Sequence, residues 1–198
     1  MSSSSDGEGK LSVAVIGGGP AGLAAANNLL DVESVGHVTV IEQGEGFDDG
    51  PGTWGIGLGE RCQALLSDMT GKPWDNSLKG LTLPGHGPFP MSFSRGTRPL
   101  IRKAIHDALA SHPAAEGRLR VEFGARVSAF DRGAKRLELG SGGGQLPYDI
   151  LVLADGSHSP SVEAIGIKGF ETERRAHWSC LKILPMPRTE GDTSTYMF

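Results

Sequence analysis

Three glycines near the start of the chain have the spacing of a loop that binds the phosphates of a dinucleotide. Gly17, Gly19 and Gly22 follow the apolar run 12–16 and open a segment rich in alanine and leucine. The first glycine permits a sharp turn, the second lets a pyrophosphate approach the backbone, and the third lets a helix pack closely on the strand. Pro20 suits the first turn of that helix, where its missing N–H costs no hydrogen bond. The sequence therefore predicts a strand, a phosphate-binding turn and a helix whose free N–H groups face an anion.

An acidic residue at the end of the next apolar run could bind the ribose of the same ligand. Glu42 follows the run 37–41 and lies about 20 residues beyond Gly22, as in dinucleotide-binding folds. The alternative is an ordinary strand–turn–helix unit with an exposed glutamate at a strand end. All the required elements occur in the required order, which favours a dinucleotide site. Replacing Glu42 by alanine is then expected to weaken binding with little loss of fold.

Two other positions could contact an anionic ligand. Asp155 and Gly156 follow the run 148–154, which is almost wholly apolar and predicts a strand buried on both faces. Ligands bind at the carboxyl ends of such strands, although a plain Asp-Gly turn is the alternative. Arg98 precedes a predicted helix, where a cation is slightly unfavourable for the helix dipole. Its position indicates either an anionic partner or a solvated arginine.

The elements that must position these residues follow from the spacing of apolar residues. Runs with strand-like alternation lie at 92–94, 118–123, 126–130 and 136–139. Runs with helical periodicity lie at 60–69 and from 98 to about 111. Stretches rich in glycine, serine or proline predict loops at 43–59 and 71–90 and a hairpin connection at 140–144. The first of these loops could approach a flat ring beside the cofactor strand, or lie on the surface as a disordered loop.

Length and composition limit the possible functions. The chain has 198 residues, enough for one domain and part of another, and a formal net charge of −4. This charge does not indicate a nucleic-acid partner, and no apolar run is long enough for a transmembrane segment. Residues 1–10 lack the features of a signal peptide and predict a disordered tail. Cys62 and Cys180 have no metal-binding spacing, so we expect free thiols in the reducing cytoplasm and no metal site.

The motifs together resemble the N-terminal part of the FAD-dependent aromatic-ring monooxygenases, which include para-hydroxybenzoate hydroxylase and kynurenine monooxygenase. The segment 17–22, including Ala21, looks like their FAD-binding fingerprint together with Glu42. We expect Gln43, the next residue, to contact the cofactor as well. The segment 55–58 is similar to the family's loop beside the flavin ring.

Three later segments extend the resemblance. Arg98 with the following residues is similar to the segment whose arginine contacts the FAD phosphates. Val127 lies in a segment similar to the strand against the adenine. Asp155 and Gly156 resemble the family's Asp-Gly motif, near the flavin pyrophosphate and the route of the nicotinamide cofactor.

The resemblance implies an α/β fold: a Rossmann-like FAD-binding domain with a parallel sheet, an inserted small β-sheet and only the start of a substrate domain. The expected FAD-binding domain covers residues 11–170, and residues 171–198 would begin the substrate-domain sheet, with a first strand at 177–184. The family's later Gly-Asp motif is not matched by Gly191 and Asp192, because no apolar strand runs directly into them.

The implied function is that of a flavin monooxygenase, whole or in part, which uses NADH or NADPH to hydroxylate a small aromatic substrate. No residue is assigned as a catalytic acid or base, and the oligomeric state is not predicted. One alternative is another FAD-dependent enzyme, such as a reductase or cyclase. The other is a truncated, non-catalytic dinucleotide-binding module.

Overall fold

The computed structural model describes most of the chain between residues 9 and 166. The described ranges are 9–47, 55–74, 77–78, 82–83, 87–88, 93–140, 144–156 and 159–166. Within them the helices are α1 (Pro20–Leu30), α2 (Glu60–Thr70), α3 (Arg98–Ala110) and α4 (Pro160–Ile165). The strands are β1 (Leu11–Ile16), β2 (Val35–Ile41), β3 (Gly55–Leu58), β4 (Ser77–Leu78), β5 (Thr82–Leu83), β6 (Gly87–Pro88), β7 (Phe93–Thr97), β8 (Leu119–Glu122), β9 (Val127–Asp131), β10 (Arg136–Leu139), β11 (Gly144–Pro147) and β12 (Ile150–Leu153).

A parallel sheet of the order β12-β1-β2-β8 forms the centre of the described structure. Val15 of β1 is in register with Val40 of β2 on one side and with Val152 of β12 on the other. Because successive side chains of a strand point to opposite faces, β1 contributes to two cores. Val13 and Val15 pack on the helical side, whereas Ala14 and Ile16 pack on the other side.

Helices cover one face of this sheet and a second, smaller sheet covers the other. In α1 the buried Leu23, Ala26 and Leu30 recur at the spacing of one helix face, and α3 packs beside α1. On the other face, the antiparallel sheet β11-β10-β9 buries Leu137 and Leu139 against the even-numbered residues of β1. The expected Rossmann-like domain with an inserted small β-sheet is confirmed by this arrangement.

The structure corrects three of the sequence-based expectations. The run 148–154 is not buried on both faces: Ile150 is 42% exposed, since β12 lies at the end of the parallel sheet formed by the described residues. Part of the predicted loop 43–59 is strand β3, which pairs with β7 and so overrides the low strand propensity of its glycines. The segment 71–90, predicted to be irregular, contains the short strands β4, β5 and β6.

Several expectations concern residues outside the described part of the chain. These are the disordered tail over 1–8, the strand at 177–184 and the substrate-domain start at 171–198. Among the described residues no helix has the length and apolar character to cross a membrane. The same residues contain no cluster of three or more His, Cys, Asp or Glu side chains suited to a metal ion.

Candidate functional site

Three candidate residues meet at the carboxyl edge of the parallel sheet. Gly17 follows β1, Glu42 follows β2 and Asp155 follows β12 shortly beyond its last residue. The Gly17 N–H donates to the Ile41 carbonyl at 2.8 Å, which ties the glycine turn to the end of β2. The topology therefore brings these three residues to the sheet edge where α/β folds bind their ligands.

The three fingerprint glycines differ in what the surrounding protein requires at each position. Gly17 has a φ of +103°, and a Cβ built on it would overlap the Ala154 carbonyl. A Cβ on Gly22 would overlap the Gly17 carbonyl oxygen, so the helix can pack this closely only on a glycine. A Cβ on Gly19 would meet no atom of the described residues within 4 Å. The described part of the protein therefore does not itself require a glycine at position 19, and the place of the missing side chain is open to a ligand.

The start of α1 is built to accept an anion. Gly19 is the N-cap residue and offers no side chain to the free N–H groups, and Pro20 occupies the first turn. No acidic residue lies in that turn. The partial positive charge of the helix start is thus left for a ligand, in the manner of phosphate sites at helix N-termini.

The Glu42 carboxylate is held in place by backbone donors. Its Oε2 accepts a hydrogen bond from the Gly18 N–H at 2.8 Å, and its Oε1 accepts one from the Gly44 N–H at 2.8 Å. A carboxylate has about four lone-pair sites, so each oxygen can still accept a further bond from a ribose hydroxyl. The side chain is 15% exposed, which leaves it reachable from the ligand side.

A buried arginine that the sequence analysis missed completes this group. Arg102 of α3 is 4% exposed, and its Nε donates to the Gly18 carbonyl oxygen at 2.9 Å. Its Nη2 lies 3.5 Å from Glu42 Oε2. The sequence did offer one indication of Arg102, because this charged residue lies one turn after Arg98 and beside the apolar stripe of α3. The local sequence could not show which residues Arg102 contacts.

An aromatic cluster, formed by Phe47, His106 and Phe123, packs beside this arginine. The Phe47 ring meets the His106 ring at 5.0 Å and the Phe123 ring at 5.2 Å, both edge to face. The Arg102 guanidinium carbon lies 5.5 Å from the centre of the Phe47 ring, within cation–π range. The cluster thus restrains Arg102 on the side of the loop that follows Glu42.

The Asp155 carboxylate accepts a hydrogen bond from the chain at the start of α4. Its Oδ2 accepts a hydrogen bond from the Ser161 N–H at 3.2 Å. Burial raises the pKa of Asp155, but hydrogen bonds from Ser159 and Ser161 together hold that pKa below its ordinary value. The carboxylate is therefore ionised at neutral pH and ties the end of β12 to the start of α4.

The remaining predicted contacts are placed less centrally. Gln43 is exposed in the turn after β2, and Ala21 is exposed in the first turn of α1. Val127 packs in the core on the side of the small sheet. Arg98 begins α3, but its side chain lies outside the described part of the structure.

Backbone hydrogen bonds link the segment before β9 to the site. The Ala125 N–H donates to the Glu42 carbonyl at 3.0 Å, and the Gly124 N–H donates to the Gly44 carbonyl at 2.9 Å. These bonds hold the start of β9, and with it Val127, close to the loop after β2.

Comparison with protein families agrees with this geometry. The model of the family described as pyridine nucleotide-disulphide oxidoreductase matches residues 11–184. The chain belongs to this oxidoreductase family. The match includes the glycine turn, Glu42 and Asp155. No curated protein sequence matches the chain significantly.

Solved structures with the same fold include oxygenases of aromatic compounds. A mutant of 2-methyl-3-hydroxypyridine-5-carboxylic acid oxygenase is 22% identical, with a TM-score of 0.61 over 80% of this chain and 43% of its own. The p-nitrophenol 4-monooxygenase PnpA from Pseudomonas putida DLL-E4 is 18% identical, with a TM-score of 0.58 over 79% of this chain and 44% of its own. The Diels-Alderase PyrE3 of pyrroindomycin biosynthesis is 19% identical, with a TM-score of 0.54 over 78% of this chain and 34% of its own.

These likenesses confirm the expected fold, and the family match confirms the expected oxidoreductase domain. The resemblance to aromatic-ring monooxygenases is confirmed at the level of fold. The oxidoreductase chain spans less than half the length of the solved structures that it matches. The enzymes also differ in the reactions they are named for, so the reaction has to be argued separately from the fold.

Proposed function

We propose that the chain is the FAD-binding part of a flavin monooxygenase that hydroxylates a small aromatic compound with NADH or NADPH as electron donor. The observation that carries this proposal is the pairing of two features at one sheet edge. Glu42 is held by backbone N–H groups with acceptor capacity left over, and a Cβ on the nearby Gly19 would meet no atom within 4 Å in the described part of the chain. Together they suit the ribose and the pyrophosphate of one dinucleotide.

The described residues fit FAD as the tightly bound ligand. Gly19 and the start of α1 would hold the pyrophosphate, and Glu42 would accept hydrogen bonds from the ribose hydroxyls. Asp155 and Gly156, whose chain passes close to Gly17, would border the pyrophosphate. Bound FAD would supply electron transfer from the nicotinamide and activation of dioxygen, whereas the protein supplies binding and orientation.

Several finer contacts belong to the same proposal. Arg98 would pair with the FAD phosphates. Val127 would lie near the adenine, and Gln43 and Ala21 would border the ligand through exposed positions. The start of β9 is tied to the Glu42 backbone, which supports an adenine position beside that strand.

Two matched structures support an aromatic substrate, because one is named as an oxygenase of a hydroxypyridine carboxylic acid and the other as a monooxygenase of p-nitrophenol. A location in the reducing cytoplasm is also proposed, since Cys62 of α2 is a free, exposed thiol.

The experiment supplies the purified protein with FAD, NADH or NADPH, and a panel of aromatic acids and phenols. Oxidation of the nicotinamide, hydrogen peroxide and hydroxylated product are measured together. The proposal expects FAD-dependent nicotinamide oxidation that an aromatic compound accelerates, with hydroxylated product. FAD binding combined with conversion of a substrate without oxygen insertion would favour the alternative, another FAD-dependent enzyme. FAD binding without any turnover would favour the non-catalytic module.

A further inference from the structure

The Glu42–Arg102 ion pair binds both backbone polar groups of Gly18 in the predicted phosphate-binding loop. The Gly18 N–H donates to Glu42 Oε2 at 2.8 Å, and the Gly18 carbonyl accepts from Arg102 Nε at 2.9 Å. The two charged groups also approach each other, at 3.5 Å between Arg102 Nη2 and Glu42 Oε2. Both polar groups of Gly18 are therefore bound by the two members of the same pair.

We propose that Arg102 is a positioning residue for dinucleotide binding, which acts by fixing the Glu42 carboxylate and the Gly18 backbone relative to each other. This inference rests on the proposed FAD site. Arg102 is 4% exposed, so it acts through these two residues and not by its own contact with the ligand. The consequence is that the ribose acceptor and the phosphate-binding turn are held as one unit before the ligand arrives.

The geometry explains why this position holds an arginine. The guanidinium is a planar fork, so its Nε can bind the Gly18 carbonyl while its Nη2 faces Glu42. The ammonium of a lysine is a single point of charge and cannot reproduce both contacts in this plane. The Phe47 ring, 5.5 Å from the guanidinium carbon, adds a flat surface that suits the fork.

Gly18 itself shows how tightly this unit is packed. A Cβ built on Gly18 would lie 2.8 Å from Glu42 Cβ. Only a glycine at position 18 therefore lets the loop approach Glu42 this closely, and the hydrogen bond from Gly18 and the ion pair with Arg102 both hold the carboxylate there. A ligand that needs ribose and pyrophosphate contacts at a fixed separation would gain from this preorganisation.

The experiment is a double-mutant cycle on ligand affinity. FAD and ADP are titrated into the wild-type protein, Arg102→Met, Glu42→Gln and the double variant. Arg102→Met is expected to weaken both ligands about tenfold or more, the effect of removing a charged hydrogen-bond donor from a binding residue. In the presence of Glu42→Gln the same change is expected to cost about threefold or less, because coupled residues are not additive. Arg102→Lys should recover part of the affinity.

Arg118→Met provides the matched control. Arg118 is also a partly buried arginine that ties two elements together, since its Nη2 donates to the Val35 carbonyl at 2.6 Å. It lies immediately before β8, at the opposite edge of the sheet from Glu42. This variant should alter thermal stability but change FAD and ADP affinity less than about twofold, because distant sites are usually independent.

The outcomes separate this inference from the proposed function. If the wild-type protein binds neither FAD nor ADP, the proposed site itself is wrong. If it binds them and Arg102→Met leaves affinity unchanged, or costs the same with and without Glu42→Gln, the positioning role is wrong. Should Arg102→Met fail to fold, Arg102→Lys with and without Glu42→Gln closes the same cycle, and additive losses there would overturn the inference.

Discussion

Replacing Gly19 by alanine should separate ligand binding from folding. Gly19 has a φ of −72° and a ψ of 174°, a conformation that alanine adopts readily. A Cβ at this position would meet none of the atoms that the structure describes within 4 Å. The added methyl group would instead project into the space that the proposed pyrophosphate occupies.

The two effects differ in size. Glycine is a better N-cap residue than alanine, so Gly19→Ala should lower the free energy of unfolding by at most about 1 kcal/mol. Crowding of a closely packed contact by one methyl group typically costs about 1–3 kcal/mol. That range corresponds to a roughly 5- to 150-fold weaker binding of FAD.

The assay pairs chemical denaturation of the ligand-free protein with titration by FAD. Gly22→Ala is the matched control, because its Cβ would overlap the Gly17 carbonyl oxygen within the protein itself. We expect that variant to lose stability even without ligand, whereas Gly19→Ala should lose affinity with only the small loss of stability given above. Unchanged FAD affinity in a folded Gly19→Ala protein would refute the placement of the phosphates at this turn.

Three further predictions concern the carboxylates and the core. Glu42→Ala should weaken FAD binding about 10- to 150-fold. Because the Glu42 carboxylate also accepts the Gly18 and Gly44 N–H groups, the variant should lose about 1–3 kcal/mol of stability, more than the sequence alone predicted, and denaturation that matches wild type would contradict this second part. Asp155 has a pKa below its unfolded value of 3.8, so its contribution to stability is present above that pH and is lost as the pH falls through the lowered pKa. The free energy of unfolding, measured over about four pH units from pH 6 to pH 2, should therefore fall less steeply with falling pH for Asp155→Asn than for wild type. Equal pH dependence in the two proteins would argue against the Ser159 and Ser161 contacts. Leu23→Ala, at a fully buried position of α1, should cost about 2–5 kcal/mol of stability in chemical denaturation. A cost below about 1 kcal/mol, which is typical of a surface substitution, would contradict this expectation.

The parts of the site that could be predicted from the sequence are those whose cause is local. Gly17, Gly19 and Glu42 lie within one strand–turn–helix–strand unit, so their spacing along the chain determines their positions in space. Arg102 could not be found in this way, because its contact with Gly18 spans 84 positions and depends on how α3 packs on α1.

The differences between the predicted and the observed fold also arise from contacts between distant parts of the chain. Periodicity predicted α2, α3, β9 and β10 to within a few residues, whereas β11 was not predicted as a strand. The apolar character of β12 predicted a strand but not its exposure, because burial depends on which elements lie beside it. The glycines of β3 predicted a loop, and only the pairing with β7 made that segment a strand.

The most direct test of the central claim is the identity of the dinucleotide that the protein retains. The purified protein is incubated with equal concentrations of FAD and NAD, freed of unbound ligand and denatured by heat, and the released nucleotides are separated by chromatography. The proposed site, with Glu42 on the ribose and Gly19 beside the pyrophosphate, predicts that FAD is recovered in preference to NAD. Recovery of NAD alone, or of neither nucleotide, would contradict it.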